Sequence, residues 1–286
     1  LATDNAVIPY GVGVDIGCRM SLSIFDLPAS FFKGKDHQLQ AILKDNTKFG
    51  MSETHKVKAD HEVFYREEFK TIPLVKQLLD KAYKQLGSSG GGNHFVEFGI
   101  VKLDNPLPEW KLEAKEYVAI LSHSGSRGLG ANIAKHYTYL ASKQCPLPKN
   151  VQHLAWLDLN THDGQEYWLA MNLAGDYAKA CHEDIHRRLA KALGKRIVVT
   201  IENHHNFAWK EIVNGQECIV HRKGATPAGK GVMGIIPGSM TATGYIVKGK
   251  GESASVNSAS HGAGRLMSRS RAMQSITHNA LQDELK

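Results

Sequence analysis

The chain has 286 residues, 42% hydrophobic and 22% charged, which is long and apolar enough for a sizeable core and excludes a disordered segment. No run approaches the ~20 apolar residues of a membrane helix, and residues 1–5 have neither the charged nor the apolar region of a signal peptide. The net charge of +7 is modest, and Cys18, Cys145, Cys181 and Cys218 lack CxxC spacing, which argues against a disulfide framework or a zinc finger and for reduced thiols in a soluble, cytoplasmic protein.

In chain order, an apolar Gly-Val-Gly-Val run leads into Asp15-Ile16-Gly17-Cys18, and a strand is predicted over 22–25. Leu74, Leu78, Ala82 and Leu86 recur at helical spacing, predicting a helix over 73–86 that stops at Gly87. The glycines before Asn93 and His94 open a strand over 95–101. A further strand over 117–121 runs into His123 and the glycine-rich stretch Ser124 to Gly130. The longest helix is predicted over 163–193, with Asp163 as its N-terminal cap, Glu166 three residues on and Gly194 as the stop. Strands over 197–201, 218–220 and 245–247 follow. These elements lack a regular βαβ rhythm, so the expected class is α+β, with mixed sheets and packed helices and a metal site in a central cleft.

Five stretches bear chemistry. A turn at Gly17 could aim the Asp15 carboxylate and the Cys18 thiolate at one ion, although a buried free cysteine beside a turn aspartate is the blander reading. His94 and His123 stand at junctions between strand and glycine-rich loop, and His205 follows a strand at the point where side chains leave the sheet. Three histidines so placed suggest one shared metal site. Residues 124–130 resemble an anion-holding loop to which Arg127 would add a guanidinium fork, but no Gly-Lys-Ser/Thr makes it a P-loop. Ser260-His261-Gly262-Ala263-Gly264-Arg265 sets one histidine among small residues whose backbone could approach a phosphate. Together these read as a metal-assisted phosphoryl or nucleotidyl transfer site.

Two further features need weighing. His182-Glu183-Asp184-Ile185-His186 matches HExxH, but the rest of the zinc-protease pattern is absent, and pairs such as Glu183 with Arg187 read instead as an exposed helix face. Between Arg222 and Arg271, the cations Arg222, Lys223, Lys230, Lys248, Lys250, Arg265, Arg269 and Arg271 face the single acid Glu252. That segment accounts for the whole net charge of +7 and would attract nucleotides or RNA, unless it is a solvated surface with some structural arginines.

The motifs Gly13 to Cys18, Gly92 to Glu97, His123 to Gly128, His221 to Thr226, Pro237 to Met240 and Ser260 to Arg265 resemble, in order, those of the RtcB family of RNA ligases. The resemblance implies the family's own α+β fold. It also implies joining of RNA ends bearing a 3′-phosphate or 2′,3′-cyclic phosphate to a 5′-hydroxyl, with GTP and two Mn2+ ions, in RNA repair or tRNA splicing. Carried over by position, it makes Asp15, Cys18, His94, His123 and His205 metal ligands, with Cys18 bridging, and His261 the guanylylated nucleophile. Glu97 becomes the guanine-recognising acid. Asn93, Phe95, Val96, Asn206, Pro237, Gly238, Ser239, Met240, Gly244, Gly262, Ala263 and Gly264 become the rest of the nucleotide pocket, and Arg127, Lys223 and Arg265 the phosphate and RNA contacts.

Three positions depart from the family pattern. Arg19 and Thr241 stand where glycine is usual, and Gly244 replaces a serine, so an altered pocket is expected. With leucine at position 1, the expectation is one RtcB-like catalytic domain over 1–286 of a longer natural chain. The family's Met-Pro-Asp-type segment would lie upstream and its nucleotide-contacting lysine downstream. Two other readings keep the same residues: a dinuclear metal phosphodiesterase that hydrolyses RNA without GTP, and a non-catalytic RNA-binding relative.

Overall fold

One antiparallel sheet carries the metal-type residues. The structure is a computed structural model that describes residues 1–239, 242–264 and 266–284. Its main elements begin with strand β1 (Arg19–Phe25), helices α1 (Asp36–Asn46) and α2 (Pro73–Gln85), and strands β2 (Phe95–Lys102) and β3 (Glu116–Ser124). Helices α3 (Arg127–Gln144) and α4 (His162–Leu193) and strand β4 (Val199–His204) follow. The sheet order is β2-β3-β1-β4, antiparallel throughout, and among the described residues only the short strands Lys48–Phe49 and Ser88–Gly90 pair in parallel. The expected class of helices packed on several small sheets therefore holds.

Strand alternation divides the sheet into two chemically distinct faces. Met20, Leu22 and Ile24 of β1, Tyr117 and Ala119 of β3 and Ile201 of β4 form one core. On the other face, Val96 of β2 and Val118 and Ile120 of β3 pack against Ile185 and Leu189 of α4. The strands run further than their apolar patterns predict: β3 continues through Ser122, His123 and Ser124, pairing with Ser21, Met20 and Arg19. Main-chain hydrogen bonds hold these residues in the sheet where side-chain type no longer marks them.

Helix α4 packs along this face and into the larger core formed with α2 and α3. Its N-cap is Thr161, whose hydroxyl accepts the Gly164 N–H at 3.2 Å. Asp163, the expected cap, instead lies in the first turn, where a carboxylate suits the helix dipole. Gly194 ends the helix in left-handed geometry at φ +63°.

A second sheet joins β5 (Phe207–Val213) and β6 (Gln216–Arg222) with Ala2–Thr3. Beyond it, β7 (Ala225–Pro227), β8 (Met233–Ile236), β9 (Tyr245–Lys248) and β10 (Ser258–Ser260) form two ribbons, β7 with β10 and β8 with β9. Asn203 of β4 ties both ribbons to the main sheet: its amide donates to Thr226 and to the Ile235 carbonyl, and its side-chain oxygen accepts the Ile235 N–H at 2.8 Å. Among the described residues, no helix is long and apolar enough to cross a membrane.

Candidate active site

The ends of the four strands of the main sheet bring the expected ligands together. His123 is near the end of β3, paired with Phe95 at the start of β2 and Met20 near the start of β1. Cys18 precedes β1 and accepts the His205 N–H on its carbonyl at 2.8 Å, which places His205, just past β4, beside it. The Cys18 Sγ lies 3.2 Å from His123 Nε2 and 3.5 Å from His94 Nε2. His123 Nε2 is 3.2 Å from His205 Nε2, and His94 Nε2 is 2.8 Å from Asp15 Oδ2. Two donor groups result, Cys18 with His123 and His205, and Asp15 with Cys18 and His94, each with its ligand atoms within 4.8 Å of one another. Cys18 belongs to both, as a bridging ligand would.

Two glycines make this approach possible. Gly17 has φ +66°, and a Cβ there would stand 2.8 Å from the Gly175 Cα of α4, so the Asp15 to Cys18 turn lies directly on the helix backbone. A Cβ on Gly125 would overlap the Asp15 carboxylate.

The donor set fits a cation. His94 Nδ1 faces the Ser89 carbonyl at 3.1 Å and His123 Nδ1 faces the Asn93 carbonyl at 2.9 Å. A carbonyl only accepts, so both rings carry hydrogen on Nδ1 and turn Nε2 inward, in the orientation that metal-ligating histidines commonly have. His94 Nε2 lies against Asp15 Oδ2, a contact that a proton or a metal cation between the two atoms satisfies. Burial pushes the Cys18 thiol well above its ordinary value, and the Asp15 carboxylate adds to the rise. Burial also lowers His123 to about 4 and His205 to about 2, keeping both imidazoles neutral and able to donate lone pairs. Burial opposes ionisation of Asp15 as well, but its hydrogen bond to His94 holds the carboxyl below the usual range.

His261 joins the cluster from the ribbons. Its ring centroid lies 4.5 Å from that of His205. Its Nδ1 donates to the Gly224 carbonyl at 2.6 Å, which leaves the Nε2 lone pair uncommitted by that bond. The loop after His261 rests on the loop that begins at Pro237, since the Ala263 N–H donates to the Pro237 carbonyl at 3.3 Å. Ser239 bridges to Ala242, and Gly244 lies close beside the Ile236 carbonyl and Pro237. Asn206, in left-handed geometry, connects the two halves: its side-chain oxygen accepts the Gly224 N–H at 2.8 Å and its amide donates to the Asp15 carbonyl. Lys223 is exposed, 3.5 Å over the Tyr10 ring. Met240, Thr241 and Arg265 lie outside the described residues.

Several expectations change. Val96 turns its side chain to the α4 face, opposite Phe95 and Glu97, so only its backbone is on hand for a ligand. Glu97, at the exposed rim of the site face, has its carboxyl raised by partial desolvation. Arg127 is not an open phosphate fork. It is buried, with Nε donating to Ser88 and Nη2 to the Gly50 carbonyl, and it braces the glycine loop that carries His94. Arg222 is likewise buried and bidentate on Glu211, at 2.6 and 2.8 Å. Arg19 points away from the site to the α4 face, where it binds the Gly175 carbonyl and Glu202, so this departure does not enter the metal cluster.

The HExxH segment is not an exposed face. His182, Asp184 and His186 are buried, while Glu183 is half exposed and pairs with His61 and Lys179. The expected i,i+4 pair of Asp184 with Arg188 forms, whereas Arg187 turns to the same buried Asp184 rather than to Glu183. Nor is the segment a zinc site, because both histidines are hydrogen-bonded to Ser122.

Sequence reasoning missed the groups that orient the rings: the carbonyls of Ser89, Asn93 and Gly224. Backbone acceptors leave no mark in residue type.

A family model described as tRNA-splicing ligase RtcB matches residues 1–286. The chain is 33% identical to an RNA-splicing ligase RtcB of Escherichia coli (strain K12), over 95% of this chain and 71% of that protein. It is 30% identical to a tRNA-splicing ligase RtcB of Thermococcus kodakarensis, over 99% and 72% respectively. An RNA-splicing ligase RtcB of Mycobacterium tuberculosis is 28% identical, over 99% and 78%.

Proposed function

Since the chain belongs to the RtcB family, we propose that it is an RNA ligase joining 3′-phosphate or 2′,3′-cyclic phosphate ends to 5′-hydroxyl ends through GMP carried on His261. The observation that carries this reading is the His261 ring, fixed at Nδ1 by the Gly224 carbonyl and set against five metal-type donors centred on Cys18.

Two Mn2+ ions would be held by Cys18, His123 and His205 and by Asp15, Cys18 and His94, and would supply positive charge against phosphate oxygens. The chain's own part is positional and nucleophilic. His261 Nε2 bonds to the α-phosphorus of GTP as the bond to pyrophosphate breaks. The positive charge that the ring gains spreads to Nδ1–H, where the Gly224 carbonyl already accepts a hydrogen bond at 2.6 Å. GMP then passes from His261 to the RNA 3′-phosphate, and the 5′-hydroxyl oxygen displaces GMP to close the strand. Phe95 and Glu97 share the sheet face of His123 and are the candidates for the guanine side. Lys223, exposed and now resting on Tyr10, is our candidate for a phosphate contact.

The test is incubation with Mn2+ and GTP labelled at the α-phosphate. The expected result is an acid-labile label on His261 that is absent in His261→Ala and not formed from ATP. Metal-loaded protein that takes no label, yet hydrolyses RNA without GTP, overturns the ligase reading in favour of a phosphodiesterase.

A further inference from the structure

The buried histidines of α4 are unused in the chemistry above, yet they sit directly behind it. His182 Nε2 faces the Ser124 carbonyl at 3.2 Å, and His182 Nδ1 lies 2.6 Å from Ser122 Oγ. Ser122 Oγ is 2.7 Å from His186 Nε2, His186 Nδ1 is 2.7 Å from Ser23 Oγ, and Ser23 Oγ is 3.1 Å from Thr200 Oγ1.

The carbonyl sets every proton in this chain. Because Ser124 O can only accept, His182 Nε2 carries hydrogen and Nδ1 accepts from the Ser122 hydroxyl. Ser122 oxygen then accepts from His186 Nε2–H, and His186 Nδ1 accepts from the Ser23 hydroxyl. Both imidazoles are neutral in this pattern, and burial, which lowers His186 to about 3 and His182 well below its ordinary value, agrees with that.

The chain is anchored on both neighbours of His123. Ser122 and Ser124 are fully buried on the α4 face of β3, while His123 between them points to the opposite face. His182 therefore bridges the residue before His123 and the residue after it. Ser124 extends the connection, since its hydroxyl donates to the Ser89 carbonyl, the same oxygen that orients His94 Nδ1.

We infer that His182 and Ser122 are positioning residues of the metal centre, fixing β3 on both sides of His123 and, through Ser124 and Ser89, the ring of His94. This rests on the reading of the Cys18 cluster as a metal centre. Partners one step removed from a ligand commonly govern metal affinity by about 10- to 100-fold.

The test uses Co2+ alone as the probe, following the thiolate-to-metal charge-transfer band and the visible ligand-field bands in whole protein. Ser122→Ala removes one atom, and circular dichroism establishes that the variant is folded. It should weaken Co2+ binding about ten-fold and shift the visible bands. His182→Gln can set an amide oxygen and nitrogen where the two ring nitrogens stand, and should stay close to wild type. Leu173→Ala, a core change on the same helix, should lower stability and leave the spectrum of the folded protein unchanged. Equal affinity and identical spectra for Ser122→Ala and a folded His182→Leu overturn the inference while the wild-type band upholds the metal centre. Absence of any Co2+ band in wild type defeats the metal reading itself, and the inference with it.

Discussion

Cys18 is the residue on which both donor groups depend, and its environment predicts two behaviours. Cys18→Ala should abolish binding of both ions, whereas His205→Ala should spare the group made by Asp15, Cys18 and His94. Mn2+ stoichiometry by equilibrium dialysis separates the two outcomes, and equal losses in both variants would show that Cys18 does not bridge. Because burial holds the Cys18 thiol protonated well above its ordinary value, metal must displace that proton. Apparent affinity should therefore rise with pH, by up to about ten-fold per unit for each proton released, as calorimetry in buffers of different ionisation enthalpy can measure. The residues that could announce themselves by type were readable in the chain: Asp15, Cys18, His94, His123 and His205 do meet, and His261 lies against them. Arg127 could not be placed by residue type, because a guanidinium that braces a loop and one that grips a phosphate are the same letter.

At the scale of the element, α4 both closes the core and supports the sheet. Gly17→Ala would force a methyl against Gly175 in a backbone geometry unfavourable to alanine, and should destabilise the fold by roughly 1–3 kcal/mol in chemical denaturation. His186 gives the helix a pH signature. Its folded value near 3 lies below the ordinary 6.5, so the unfolded chain binds a proton that the folded chain refuses. Stability attributable to this residue is present above about 6.5 and is lost as pH falls toward 3, at about 1.4 kcal/mol per unit. His186→Gln should flatten the pH dependence of the denaturation midpoint by one proton, and an unchanged slope would show that His186 titrates normally. The helix itself was legible from the acids at its start and its terminal glycine. Its buried polar face was not, because Ser122 and Ser23 come from distant segments and no pattern within 163–193 reveals them.

Across the whole molecule, the ligands belong to segments far apart in sequence and meet only because β2, β3, β1 and β4 pair in that order. The excess of basic residues lies between Arg222 and Arg271, around His261. With Arg222 committed to Glu211, the cations left for a polyanion include Lys223, Lys230, Lys250 and Arg271. RNA affinity should fall steeply with salt, and replacing Lys223 and Lys250 by Ala should make that slope shallower by up to about one unit each, read by filter binding across a salt series. A slope unchanged by both replacements would place the RNA path elsewhere.

The strand order also governs when this centre can exist during folding. Asp15 and Cys18 precede the other donors in the chain, but His205 needs β4 to add to the edge of β1, and His261 needs the ribbons beyond it. Contacts this distant in sequence form slowly, after the local helices. Cobalt added to refolding protein should therefore colour it only in the last kinetic phase, after α2, α3 and α4 have restored most of the helical signal.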